Sequence, residues 1–412
     1  MKYGLIGEKL GHSFSKDIHE SLGGYEYELR EIAPDGLDGF MKEKDFLGIN
    51  VTIPYKERVI PYLDWIDDTA KEIGAVNTVV KRDGKLYGYN TDFYGMKELF
   101  DHAGIDPKGC KAVILGSGGT SKTAKAVLES LGAREIFRVS RSGRDGAITY
   151  GDLGQQGHYD AEIVVNTTPQ GMYPNIYDMP VVMMCFNKPS GVIDAIYNPI
   201  RTMTVMEGWS YDAKAEGGLY MLVAQAVKAS EIFLDTKYPN GTTERVFEEL
   251  LRQKENIVLI GMPASGKTTV GKILAERLGR RFIDTDEEIV KFTGMSISEI
   301  FEKEGEWYFR RLEREIIEKY AAESSLVIAT GGGAVLRASN IFSLKLNGKL
   351  FFIDRPLESL VPTDTRPLSS DRESIEKRYN ERYSIYCKEC DVHIDADCDA
   401  ETVADRIMES LK

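Results

Sequence analysis

No run of about 18 uninterrupted apolar residues occurs in the chain, which predicts that no helix of it spans a membrane. The opening segment, Met1 to Glu8, has no apolar leader of the signal-peptide kind, so export is not expected. Cysteine is sparse. Cys110, Cys185, Cys387, Cys390 and Cys398 make five, an odd and scattered set that predicts a reducing cytoplasm rather than a disulfide framework. Positive charge is short as well: 52 Lys and Arg stand against 65 Asp and Glu, a net charge of -13 that repels phosphate backbones and anionic head groups. Nucleic acid and membrane surfaces are excluded as expected partners, and any anionic ligand needs locally placed cations and backbone N–H groups. There is no Pro- or Ser-rich linker, internal repeat or low-complexity tract. Oligomeric state leaves no mark in the sequence.

What is present is ample material for packed cores. The chain has 412 residues, 42% hydrophobic and 28% charged, and at roughly 150 residues per domain that implies two or three domains. Short apolar runs alternate with amphipathic stretches, which predicts an α/β fold with parallel strands and crossover helices. The runs include Ala112 to Leu115, Ile163 to Val165, Val192-Ile193, Ile257 to Ile260, Leu326 to Ile328 and Leu350 to Ile353. Two strands run into glycine loops that lie far apart, so two nucleotide sites are expected. Thr243 to Lys254 reads as a helix, with Val246, Phe247, Leu250 and Leu251 at helical spacing. The joint then falls near residues 253 to 256, dividing the chain into 1–253 and 254–412.

The first loop is Gly116-Ser117-Gly118-Gly119-Thr120, after the strand ending at Leu115. Small residues there let backbone approach a pyrophosphate at a helix N-terminus, although a purely structural turn has the same look. The next strand, Glu135 to Val139, ends in Ser140-Arg141-Ser142-Gly143-Arg144, with guanidiniums where an acidic residue would serve the ribose of NAD. Arg suits a ribose 2′-phosphate, so NADP is favoured, with solvated arginines as the plain alternative. A reductase must also stabilise the oxygen that becomes an alkoxide. Lys56 is the candidate donor and Asp92 the group that would hold its ammonium.

These residues sit in motifs that together resemble shikimate dehydrogenase over about residues 1 to 250. They are His12-Ser13-Phe14-Ser15, Asn50 to Lys56, Asn77, Asn90-Thr91-Asp92, the glycine loop, Asn166-Thr167-Thr168-Pro169-Gln170-Gly171-Met172, Asp194 to Pro199 and Gly217 to Gln225. The resemblance implies Lys56 and Asp92 as the catalytic pair and Ser13 and Ser15 on the substrate carboxylate. It implies Thr52, Asn77, Tyr197 and Gln225 around the ring hydroxyls, Gly218 and Met221 beside the nicotinamide, and Thr167 on the coenzyme. It further implies a substrate subdomain, about 1–102 plus 226–253, and an inserted Rossmann-like NADP subdomain, about 103–225. The chain departs from the family in having Lys16 after the second serine and Ser140 at the head of the arginine motif.

The second loop, Gly261-Met262-Pro263-Ala264-Ser265-Gly266-Lys267-Thr268-Thr269, is a full P-loop between a strand and a helix-like stretch. Its N–H groups would cradle phosphates, Lys267 would reach the β/γ oxygens of ATP, and Thr268 would bind Mg²⁺. Phe282-Ile283-Asp284-Thr285-Asp286 ends a strand with two carboxylates: Asp284 for the magnesium shell and Asp286 for a substrate hydroxyl, with a helix N-cap at Asp286 as the plain alternative, compatible with that role. Arg310 and Glu313 share a helix face at i, i+3, which is ordinarily a surface ion pair. Gly331-Gly332-Gly333 lets backbone approach a small ring, and Arg366 and Arg382 add cations.

This set resembles shikimate kinase over residues 256 to 412. The resemblance implies Asp286, Arg310, Gly331, Gly332, Gly333 and Arg382 around shikimate, with the two arginines on its carboxylate. It implies Asp286 at the attacking 3-hydroxyl and Arg366 on the transferring phosphoryl group from a lid. The stretch between Asp354 and Arg382 is short for this family and has Ser359 near where an arginine is usual, leaving Arg355 to stack on adenine. Cys387, Cys390 and His393 fall short of a zinc set and read as packed or exposed thiols beside a histidine.

Together the halves name consecutive steps on one molecule: reduction of 3-dehydroshikimate to shikimate with NADPH, then phosphorylation of shikimate with ATP. The alternatives are that one half is retained only for binding, or that the reductase half acts on quinate.

Overall fold

The computed structural model describes residues 1–11, 13–360 and 372–411, and divides into two compact units, Met1–Leu250 and Leu251–Lys412. The first unit holds two sheets. One is built from β1 (Tyr3–Gly7), β2 (Tyr27–Glu31), β3 (Gly48–Val51), β4 (Trp65–Ile66), β5 (Thr78–Arg82) and β6 (Lys85–Tyr89), in the order β2-β1-β3-β5-β6-β4. It is mixed: β1 pairs in parallel with β2 and β3, whereas β5 runs antiparallel to β3 and β6. The other comprises β7 (Lys111–Leu115), β8 (Glu135–Val139), β9 (Ile163–Asn166), β10 (Gly191–Asp194) and β11 (Lys214–Glu216). It is wholly parallel, in the order β11-β10-β9-β7-β8. The chain reverses direction across this sheet between β7 and β9, the crevice where such folds bind ligands.

Two helices, Thr91–His102 and Leu219–Leu234, connect the sheets and lie against each other. Their approach is close because residue 95 is glycine: a Cβ there would stand 2.6 Å from the Met221 carbonyl oxygen. Met96, Leu99 and Phe100 from the first helix and Tyr220, Met221 and Ala224 from the second join Ala112 and Ile114 of β7 in one buried cluster, each large side chain contributing about 1.5–3 kcal/mol. A division at 225/226 falls inside the continuous helix Leu219–Leu234, so helices rather than loops join the two sheets.

In the second unit β12 (Asn256–Ile260), β13 (Arg281–Asp284), β14 (Leu326–Ala329), β15 (Gly348–Asp354) and β16 (Val392–Asp395) form a parallel sheet in the order β13-β14-β12-β15-β16. Both faces are covered, as the period of two in the strands requires. Val258, Ile260, Leu350 and Phe352 point into one core, while Ile257, Leu259, Phe351 and Ile353 point into the other. The helix expected at 243–254 spans Thr242–Lys254, and only Glu255 separates it from β12. Among the described residues no helix is long and apolar enough to cross a membrane.

Candidate active sites

In the first unit the candidate site residues hang from turns at the ends of the mixed sheet. After β3 the chain turns at Thr52, whose carbonyl accepts from Tyr55 N, and the Lys56 carbonyl accepts from Val76 N, which pins this turn beside Asn77. Asn90 caps the helix Thr91–His102 by accepting from Phe93 N at 3.1 Å, which sets Asp92 in the first turn. Lys56 Nζ then donates to Asp92 Oδ2 at 2.6 Å, with both side chains mostly buried. Asn77 donates to Thr91 Oγ1 at 3.0 Å and accepts from Thr91 N at 2.7 Å, and Thr91 Oγ1 and Asn77 Nδ2 both reach Gln225 Oε1, at 3.3 and 3.5 Å. Ser13 Oγ lies 3.1 Å from Ser15 Oγ, and the ring of Phe14 packs on Tyr197 with centroids 5.3 Å apart. The structure therefore draws Lys56, Asn77, Asp92 and Gln225 together, and sets the two serines on the segment that meets Tyr197. His12 lies outside the described residues. Lys16 pairs with Glu20 at 3.5 Å on the helix surface.

A cleft of about 610 Å³ is lined by Lys56, Gly116 to Thr120, Ser140, Arg141, Tyr150 and Thr167. Its floor is tight: Thr167 Oγ1 donates to the Leu115 carbonyl at 2.8 Å, and a Cβ on Gly116 would fall 2.4 Å from that hydroxyl. Its mouth is open, since a Cβ on Gly118 or Gly119 would meet nothing. Ser140 is buried and its Oγ accepts from Gly143 N at 3.1 Å, so it shapes the turn that presents Arg141. Arg144 is exposed and is not among the residues lining this cleft. A Cβ on Gly218 would stand 2.3 Å from the Ala195 oxygen, which locks the start of the helix carrying Met221 and Gln225 against the loop after β10. Sequence reasoning missed Tyr150, which follows β8 at a distance with no motif to mark it. It also missed Thr91, which stood inside a recognised motif.

In the second unit the P-loop joins β12 to the helix Lys267–Leu278. Lys267 is buried, and its Nζ donates to the carbonyls of Gly261 and Met262 at 2.8 and 2.7 Å. Ala264 and Gly266 take positive φ to make the turn; Ser265 is buried, and Thr269 is exposed. Thr268 Oγ1 donates to Asp284 Oδ2 at 2.7 Å. Asp284, rather than Asp286, is the N-cap of the helix Thr285–Thr293: its Oδ1 accepts from Asp286 N at 3.0 Å and Glu287 N at 3.3 Å. Asp286 is thereby turned to the glycine loop, where a Cβ on Gly331 would lie 2.5 Å from its Oδ1.

The same loop receives both arginines. A Cβ on Gly333 would meet Arg310 Nη1 at 2.4 Å, and Arg382 donates to the Gly332 carbonyl at 3.2 Å. Arg310 is not a surface ion pair: its guanidinium is buried and donates to both oxygens of fully buried Glu313, at 2.9 and 3.1 Å. Burial pushes the Glu313 carboxyl above its ordinary value, and Arg310 opposes that shift. Tyr386, one turn beyond Arg382, also donates to Gly332 O; its spacing from Arg382 was the available signal. A Cβ on Gly332 would fall 2.7 Å from Pro263, so the acceptor loop abuts the P-loop. Arg355 donates to the Cys398 carbonyl at 3.0 Å. Arg366 lies outside the described residues. His393 pairs with Asp354 at 2.8 Å, and no cluster able to hold a metal occurs among the described His, Cys, Asp and Glu residues.

These sites define two nucleotide-using catalysts on one chain, a reductase and a P-loop phosphotransferase. The family described as shikimate dehydrogenase substrate binding domain matches residues 5–79, and that described as shikimate kinase matches residues 263–412. A relative named shikimate dehydrogenase (NADP(+)), from Clostridium beijerinckii, is 40% identical over 261 residues, 60% of this chain and 96% of its own. The solved shikimate dehydrogenase 1 of Peptoclostridium difficile is 41% identical with a TM-score of 0.56, over 61% of this chain and 98% of its own. That of Thermus thermophilus, in complex with NADP(H) and shikimate, is 28% identical with a TM-score of 0.54, over 60% and 99%. The chain belongs to the shikimate dehydrogenase family, and it carries a shikimate kinase domain after that part, so it is a bifunctional enzyme of the shikimate pathway.

Proposed function

We propose that residues 1–253 reduce 3-dehydroshikimate to shikimate and that residues 254–412 phosphorylate it to shikimate 3-phosphate, in the cytoplasm. The observation that carries the reading is Lys56 bonded to Asp92 in the cleft that the glycine loop lines. Gly118 and Gly119 leave room for a pyrophosphate, and Arg141 supplies charge for a 2′-phosphate, so the residues fit NADP. NADPH when bound supplies the hydride. Lys56 holds a proton at Nζ and delivers it to the oxygen of the carbonyl as negative charge develops there, while Asp92 keeps the ammonium oriented. Ser13 and Ser15 hold the substrate carboxylate, and Thr52, Asn77, Tyr197 and Gln225 hold its hydroxyls; Gly218 and Met221 border the nicotinamide.

In the second half, Arg310 and Arg382 hold the shikimate carboxylate against Gly331 to Gly333, and Asp286 accepts the proton of the 3-hydroxyl. The P-loop N–H groups and Lys267 hold phosphates. The hydroxyl of Thr268 and the carboxylate of Asp284 are a hard oxygen pair that fits Mg²⁺. ATP with Mg²⁺ supplies the phosphoryl group, and Arg366 steadies it. Five free thiols accord with a reducing compartment.

One incubation of the full chain with 3-dehydroshikimate, NADPH and Mg·ATP tests both halves by mass spectrometry. Shikimate 3-phosphate is the expected product. Shikimate accumulating with ATP untouched overturns the kinase reading, and unchanged NADPH overturns the reductase reading.

A further inference from the structure

Asp194 ends β10 and is wholly buried, with no part in the chemistry above. Its donors come from two different loops. From the strand beside it, Asn166 Nδ2 donates to Asp194 Oδ2 at 3.0 Å, and the Asn166 Oδ1 in turn accepts from Thr168 N and Oγ1 at 2.9 and 2.8 Å. Thr167, Thr168, Pro169 and Gln170 line the coenzyme cleft, so this arm reaches the coenzyme side. From beyond β10, Thr202 Oγ1 donates to Asp194 Oδ2 at 2.7 Å and Ile196 N donates to Oδ1 at 3.0 Å, the two ends of the loop that carries Tyr197. The Ile196 carbonyl accepts from Gly218 N at 2.8 Å, extending this arm to the helix of Met221 and Gln225.

We propose that Asp194 is a positioning residue for the reduction: one buried carboxylate ties the coenzyme loop after β9 to the substrate loop after β10 and so sets the spacing of the two reactants. The proposal rests on the reductase reading of this cleft. Three donors converge on the group, one from the loop after β9 and two from the ends of the loop after β10, so neither arm can shift without breaking a buried hydrogen bond. Burial pushes the carboxyl up to about 6 while the Asn166 and Thr202 hydrogen bonds pull it back, as expected of a group kept for its bonds rather than for its hydration.

The test uses the full chain with Asp194→Asn and Thr202→Val, and phosphorylation of shikimate by the same preparation as the control for intact protein. Asp194→Asn should raise KM for both NADPH and 3-dehydroshikimate and lower kcat, about tenfold or more in kcat/KM, because near-attack geometry is lost on both sides. Thr202→Val removes the Thr202 bond of the substrate arm, together with the cap it gives Val205 N, and leaves the Asn166 arm intact; it should raise KM for 3-dehydroshikimate several-fold while leaving that for NADPH unchanged. If Asp194→Asn fails to fold, the Thr202→Val split decides alone. Constants within twofold of wild type for either variant, or a Thr202→Val change that falls equally on both reactants, overturn the proposal. A wild-type chain that oxidises no NADPH overturns instead the reading on which it rests.

Discussion

The two glycine loops solve the same problem at different range. Around the P-loop, the cation, the hydroxyl and the loop all lie within Gly261 to Thr269, and the lysine folds back over the carbonyls of Gly261 and Met262. Around Gly116 to Thr120, the reacting cation comes from another sheet, after β3, and is oriented by a helix that follows β6. A phosphate site needs only local N–H groups and one charge. A hydride acceptor has to be held between two separately built surfaces, and the pair proposed to serve it, Lys56 and Asp92, lies 36 residues apart in sequence.

The sharpest way to break this comparison is to remove one charged group of each site in turn. Lys56→Ala should slow NADPH-dependent reduction by about 10²–10⁴-fold with phosphorylation unchanged, as followed by NADPH absorbance beside a coupled ATPase assay. Asp286→Asn should slow phosphorylation by about 10²–10³-fold with reduction unchanged. If either variant lowers both activities alike, the two sites are not independent.

Glu313→Ala probes the second site at longer range. It removes the buried carboxylate of Arg310 and leaves only the exposed Glu306, 3.2 Å away, to pair with the guanidinium, and breaking a buried pair costs up to about 3–5 kcal/mol. The expected outcome is a lower midpoint for urea unfolding of the second unit and a raised KM for shikimate at constant KM for ATP.

Acid should separate the units least dramatically. His19 is fully buried, and desolvation pushes its imidazole from 6.5 down to about 3. Between those values the unfolded chain holds a proton that the folded chain refuses, so the stability contributed by the neutral ring is present above pH 6.5 and is lost as pH falls, by up to about 1.4 kcal/mol per unit. Asp194 acts in the opposite sense, since its raised carboxyl favours the folded state on acidification. A His19→Gln comparison isolates the histidine: the urea midpoints of variant and wild type should converge from pH 7 to pH 5. His102 and His158 are likewise held low by burial, and both are in the first unit.

Much of this was legible because it is local. Strand runs such as Ile257 to Ile260 announce themselves by composition, and Gly261 to Thr268 carries its own chemistry at fixed spacing. The neighbouring carboxylates show where locality fails. Either Asp284 or Asp286 could cap the following helix, and only the backbone conformation at residue 284 assigns the cap to Asp284 and turns Asp286 to the substrate loop. Arg310 and Glu313 read as a surface pair at i, i+3, yet packing buries both of them.

The sequence by itself determined the α/β class and both glycine loops and named most of the candidate site residues, because hydrophobic period, glycine spacing and charged side chains within one motif act over a few residues. The tertiary structure decided that Lys56 meets Asp92, that Tyr150 rather than Arg144 lines the coenzyme cleft, that an unbroken helix crosses the division drawn at 225/226, and that Asp194 gathers donors from two loops. Those facts depend on which surfaces meet when strands distant in sequence become neighbours, and the free energy of that meeting is collective: no single segment records it.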